Sequence, residues 1–113
     1  MTQQPKVSVL ISFYNLAPFV DQTMESVLAQ KTDFPVEILC ADDGSDDGTI
    51  EKLRSWEAAH PDTVRVFVMD RVPGKKYEGN ERIQRMNAIR GRLFYEAKGS
   101  YVCYLDGDDF YTD

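Results

Sequence analysis

Val36-Glu37-Ile38-Leu39-Cys40, then Ala41-Asp42-Asp43-Gly44-Ser45, then Asp46-Asp47-Gly48-Thr49 is the stretch whose reading decides the fold. Its first five residues are nearly all apolar, as in a strand covered on both faces, a situation typical of parallel sheets. A polar loop with two adjacent acids follows. Asp47-Gly48-Thr49 then offers capping side chains for a helix carrying Ile50, Leu53 and Trp56.

The same alternation extends in both directions. Upstream, Val7-Ser8-Val9-Leu10-Ile11 is a second buried strand, and Pro18 marks the start of a helix in which Phe19, Val20, Met24, Val27 and Leu28 recur at helical spacing. Downstream, His60-Pro61-Asp62 closes the second helix and residues 64–69 form a third strand. A polar loop over 70–79 carries the turn signal Pro73-Gly74. Asn80 can cap a third helix bearing Ile83, Met86, Phe94 and Ala97, which Lys98-Gly99 stops. A fourth strand, 101–105, runs into Asp106-Gly107-Asp108-Asp109. The order β-α-β-α-β-α-β predicts an α/β domain over 1–113: three layers, α-β-α, around a mostly parallel, Rossmann-like sheet. In such sheets ligands bind beyond the carboxyl ends of the strands, so the residues just after each strand are the candidate site.

Composition narrows the function. With 42% apolar and 28% charged residues, the 113-residue chain has the balance of a globular domain with one core. A formal net charge of -6 argues against nucleic acid as partner, since a phosphate backbone demands a basic excess. Seven acids lie in two clusters, 42–47 and 106–109, and a bound cation is one way to relieve their repulsion. Cys40 and Cys103 sit in apolar runs and read as buried free thiols rather than a disulfide. Residues 1–6 are polar, unlike a signal peptide, and no run approaches the roughly 20 apolar residues of a membrane span. A cytoplasmic chain is expected, with any membrane association left to a longer parent protein.

Three strand ends carry the chemistry. After the first, Tyr14 can stack on a flat ring while Ser12 and Asn15 hydrogen-bond its edge; an Asn cap for the following helix explains Asn15 as well. After the second, Asp42 and Asp43 can accept hydrogen bonds from an imide N–H or from ribose hydroxyls, whereas Asp46–Thr49 needs no more than a turn and a helix cap. After the fourth, Asp106 and Asp108 point the same way along an extended chain and can address one hard divalent cation, with Gly107 letting a ligand come close to the backbone. Arg90 shares the stripe of Ile83 and Phe94, so it either finds an acidic or diphosphate partner or reaches to the surface. Lys75 and Lys76 read as solvated charges with phosphate contact as the alternative.

Ser12-Phe13-Tyr14-Asn15, Asp42-Asp43-Gly44-Ser45 and Tyr104-Leu105-Asp106-Gly107-Asp108-Asp109, in this order, resemble the large inverting family-2 glycosyltransferases. The resemblance implies the A-type glycosyltransferase fold, whose N-terminal half binds a nucleotide diphosphate-sugar, a UDP-sugar by default with dTDP and GDP open. It implies that Ser12 and Tyr14 lie against the base, that Asp43 binds the base edge, that Asp106 approaches ribose or sugar, and that Asp108 ligates Mn²⁺ or Mg²⁺. Arg90 falls where the family often has Arg-Asn, although Gly91 replaces the Asn. The family's catalytic base belongs to an acceptor-binding half beyond Asp113, serving an acceptor saccharide or lipid-linked glycan in polysaccharide biosynthesis. The chain alone is therefore expected to bind donor without transferring sugar. Two rivals use similar ingredients. A nucleotidyltransferase would carry a Gly-rich basic segment after the first strand, where this chain has none. A receiver-type Mg²⁺-binding signalling module would need a phosphoacceptor after the third strand, for which Asp70 is the only offer.

Overall fold

The computed structural model of the protein describes residues 4–30, 33–72 and 74–107. Seven elements alternate as expected: β1 (Val7–Phe13), α1 (Ala17–Leu28), β2 (Val36–Asp42), α2 (Thr49–Ala59), β3 (Val64–Val68), α3 (Asn80–Glu96) and β4 (Tyr101–Asp106). The strands form one sheet in the order β3-β2-β1-β4, and every pairing is parallel. This is the nucleotide-binding order of a Rossmann-like sheet, with its topological switch between β1 and β4.

Period-two alternation in the strands sorts the core into two layers. Val9, Ile11 and Phe13 of β1 face Val20, Met24 and Val27 of α1 and Leu53 of α2, while Leu10, Leu39 and Ala41 face Ile89 and Leu93 of α3. Leu10, Leu39, Leu53 and Leu93 are all completely buried; each contributes about 1.5–3 kcal/mol relative to an exposed position. Both cysteines are free thiols, with Cys40 buried and Cys103 half-buried. Among the described residues no helix is long and apolar enough to cross a membrane.

Three local expectations change. The apolar stripe of α3 is displaced around the helix: Ile83, Met86 and Phe94 are 55%, 42% and 54% exposed, and the core takes Ile89 and Leu93 instead. Helical spacing identified a real stripe, but the stripe does not face the sheet. Asn80 is the first residue of α3 rather than its cap; Gly79 occupies that position, with no side-chain cap. The second helix is likewise capped at Gly48 without a side chain, and Asp47 acts one residue earlier, accepting from the Thr49 N–H at 3.1 Å.

Gly99 also has another role than helix stop. Glu37, buried in β2, accepts hydrogen bonds from the Ser8 hydroxyl (2.5 Å) and the Lys98 N–H (2.6 Å), while the Gly99 N–H donates to Ser8 Oγ at 2.8 Å. This lock fastens the α3–β4 turn to the amino ends of β1 and β2. A Cβ on Gly99 would stand 2.7 Å from the Ser8 nitrogen, and backbone cannot give way as a side chain can. Gly99→Ala should therefore destabilise the fold by about 1–3 kcal/mol, read as a lowered denaturant midpoint at unchanged slope; an unaltered midpoint would contradict the packing described.

Candidate functional site

Parallel pairing brings all strand carboxyl ends to one rim. In register, Ser12 lies beside Asp106 and Phe13 beside Asp42. Asp43 and Asp106 thus flank the end of β1 on either side, roughly 10 Å apart across two strand spacings. Between them opens a cleft of about 300 Å³ at the β1/β4 switch point. Ser12, Tyr14, Asp43, Arg90 and Asp106 all line it, together with Tyr104. Asn15 does not, and Asp108 lies outside the described residues.

Each lining residue is prepared differently. Tyr14 is 43% exposed at the mouth, with the Arg71 guanidinium over one face of its ring. Ser12 is fixed by the Tyr104 hydroxyl, which donates to its Oγ at 2.8 Å. The Arg90 guanidinium reaches the surface at the cleft, 5.2 Å from the centre of the Tyr104 ring. Asp106 is exposed at its strand end, and among the described residues its carboxylate has no hydrogen bond or ion pair. A free carboxylate on a cleft wall suits a cation or a ribose hydroxyl. Gly107 also lines the cleft, and the protein itself needs it: a Cβ there would meet Phe13 at 2.4 Å, and its carbonyl accepts from the Thr23 hydroxyl of α1.

Asn15 is used between loops. It holds a left-handed φ of 50°, its Oδ1 accepts from the Asp46 N–H at 3.0 Å, and its own N–H donates to Ser45 Oγ at 2.8 Å. The N–H groups of Leu16 and Ala17, at the start of α1, donate to Thr49 and Asp47. The first helix is thus capped by the loop after β2 and not by its own side chains.

Asp42 and Asp43, adjacent in sequence, have separate tasks. Asp42 is fully buried and accepts from the Ser45 N–H (2.7 Å) and Ser45 hydroxyl (2.6 Å), holding the turn. Asp43 is gripped by two arginines. Arg71 donates from Nη2 to its Oδ2 at 2.9 Å and from Nε to its carbonyl at 2.6 Å. Arg85 of α3 donates to its Oδ1 from Nε at 2.8 Å and again from Nη2. Neither arginine was legible as a site residue, because their meeting depends on how the 70–79 loop and α3 fold back over β2. One signal was present: Gly44, with φ of 74°, where a Cβ would strike Arg71 Cγ at 2.8 Å. The missing side chain is the passage Arg71 uses.

A second cleft of about 480 Å³ adjoins the first and shares Tyr14, Asp43 and Met86 with it. Arg71, Lys75, Lys76, Arg82 and Arg85 also line it, a local basic field in an acidic chain. Arg71 lies 3.9 Å from the Tyr14 ring centre and 4.9 Å from that of Tyr77. Lys75 is paired with Glu81 at 2.6 Å, while Lys76 and Arg82 form no ion pair with any described residue. Among the described residues no three His, Cys, Asp or Glu side chains cluster closely enough to hold a metal by themselves.

A family model described as Glycosyl transferase family 2 matches residues 8–113. The chain belongs to glycosyltransferase family 2. Similar proteins include the putative glycosyltransferase EpsE of Bacillus subtilis, 30% identical over 96% of this chain and 35% of its own length. The cholesterol galactosyltransferase of Borreliella burgdorferi is 32% identical over 92% of this chain and 25% of its own length. Among solved structures, the mannosyltransferase PcManGT of Pyrobaculum calidifontis, in complex with GDP-Man and Mn²⁺, matches with a TM-score of 0.72 and 26% identity, covering 99% of this chain and 30% of its own. S. aureus TarS shares the fold with a TM-score of 0.69 at 23% identity, over 93% of this chain and 28% of its own. The chain thus spans a quarter to about a third of each relative's length.

Family-2 membership and the strand order leave little for the rivals. Receiver modules place β1 between β2 and β3, whereas here β2 separates them. Asp70 contributes a backbone carbonyl to Arg85.

The turn under the rim carries a pH signature. Burial pushes the Asp42 carboxyl above its ordinary value of 3.8, against the opposing effect of the Ser45 hydrogen bonds. The folded chain therefore keeps this proton to higher pH than the unfolded one, so its stabilising contribution is complete below 3.8 and is lost as pH rises through the raised value. Asp42→Asn removes that titration. Denaturant titrations across this range should show the native chain losing ground relative to the variant as pH increases; a constant difference would contradict the assignment.

Proposed function

We propose that residues 1–113 form the donor-binding domain of an inverting, metal-dependent glycosyltransferase. The observation that carries this reading is the convergence of Tyr14, Asp43, Arg90 and Asp106 on one cleft at the β1/β4 switch point. In this reading the donor is a nucleotide diphosphate-sugar, a UDP-sugar first, with its base toward Tyr14 and Asp43. Ribose and diphosphate lie toward Ser12, Asp106 and Arg90. The exposed Asp106 carboxylate, without a partner among the described residues, fits a Mn²⁺ or Mg²⁺ ion whose remaining ligands come from a substrate diphosphate, with Asp108 two residues on as its partner in a DxD motif. When bound, such an ion offsets the negative charge that gathers on the departing nucleoside diphosphate.

The chain's own residues bind and orient. Arg90, held over Tyr104, presents a cation to the same diphosphate. Sugar transfer by direct displacement at the anomeric carbon inverts configuration and needs a base to deprotonate the acceptor hydroxyl. We assign that base to polypeptide beyond Asp113, together with the recognition of an acceptor saccharide or lipid-linked glycan. The GDP-Man and Mn²⁺ in the PcManGT complex support a nucleotide-sugar donor and a divalent cofactor of this class.

Calorimetry of the chain with UDP and Mn²⁺ tests the reading. Saturable binding that requires the metal is expected, and Asp106→Ala or Asp108→Ala should weaken it about tenfold or more. Asp106→Ala should leave the melting temperature unchanged, since that side chain is exposed and has no partner among the described residues. A folded sample that binds no nucleotide overturns the proposal.

A further inference from the structure

Tyr104 does more than its place in the apolar layer requires. Register sets it beside Leu10 of β1, and it packs against the layer of Leu10, Leu39, Ala41, Ile89 and Leu93 beneath α3. The ring alone would fill that space. The hydroxyl instead reaches along β1 to Ser12, two residues nearer the rim, and donates to its Oγ at 2.8 Å. Over the same ring stands the Arg90 guanidinium, 5.2 Å from the centre. Tyr104, Ser12 and Arg90 all line the cleft at the β1/β4 switch point.

Each contact fixes something that its partner would otherwise leave loose. Arg90 is exposed and forms no ion pair with any described residue. A long exposed side chain samples many rotamers, and an aromatic face narrows that choice. The attraction comes from the ring quadrupole rather than from a hydrogen bond, so the guanidinium keeps its N–H donors for another partner. Ser12 has one O–H donor and two lone pairs. Tyr104 takes up a lone pair, which leaves the Ser12 proton to donate, and no described group accepts it. One side chain thus sets a cation and an O–H donor on the same cleft, a pair suited to the oxygens of a nucleoside diphosphate.

We propose that Tyr104 is a positioning residue of the donor site, its ring holding Arg90 and its hydroxyl orienting Ser12. This inference rests on the donor-site reading above and deepens it. The alternative for Tyr104 is simple packing beneath α3, in which case its loss would act on stability and be indifferent to the state of Arg90 and Ser12.

Double-mutant cycles read by calorimetry with UDP and Mn²⁺ separate the two. Arg90→Met should weaken UDP about tenfold, the size of a lost hydrogen bond to a charged group. In a Tyr104→Leu background the same change should cost less than about twofold, because Arg90 has already lost its support. Tyr104→Phe keeps the ring, so Arg90→Met should there retain its full effect. Ser12→Ala should weaken UDP roughly threefold in the native chain and add nothing once Tyr104→Phe has removed the hydroxyl. If Tyr104→Leu does not fold, as judged by circular dichroism, the Tyr104→Phe and Ser12→Ala cycle decides the matter. Effects that simply multiply overturn the inference while leaving the donor site standing. A folded native chain that binds no UDP removes both.

Discussion

Parallel strands have all their carboxyl ends on the same side, and nearly everything functional in this chain follows from that constraint. Tyr14, Asp43 and Asp106 come from three separate stretches of sequence, yet β1 sits between β2 and β4 and brings them to one rim. Hydrophobic burial enforces the arrangement. Leu10 and Leu39 on one face, Val9, Ile11 and Ile38 on the other, commit β1 and β2 to the centre, leaving β3 and β4 as edges. A register slip by one residue would exchange the faces of a whole strand. The rim is therefore specified by the core beneath it.

Electrostatics divide the rim into two zones. On the β4 side, Asp106 is exposed and has no partner among the described residues, and Arg90 stacks over Tyr104. On the β2 side, the Asp43 carboxylate is matched by two guanidiniums in a partly buried setting. A charge that is already paired resists displacement, whereas one left exposed is ready for a new partner.

Sequence periodicity and turn chemistry made the order of elements, the parallel sheet and the positions of Tyr14, Asp43, Arg90 and Asp106 legible, because each is a local signal with a fixed consequence. What stayed hidden depends on distant parts meeting. Arg71 and Arg85 look like ordinary surface basics until a loop and a helix fold over β2 and bring them to Asp43. Asn15 looks like a ligand contact or a cap until Asp46 is seen to donate to it. Helix α3 shows the complementary failure: Ile83, Met86 and Phe94 have the right spacing for a core face but lie beside it, because Ile89 and Leu93, with Ala97 just past the helix, fill the space above Leu10 and Leu39.

The cross-bonding of the two loops that follow β1 and β2 has a kinetic and entropic consequence. Four hydrogen bonds join residues 15–17 to Ser45, Asp46, Asp47 and Thr49, every one of them between groups of the chain itself. These hydrogen bonds tie the two loops into one shelf. The order that an arriving molecule would otherwise have to impose on them is already present when the chain folds, so its affinity is not diminished by freezing that wall.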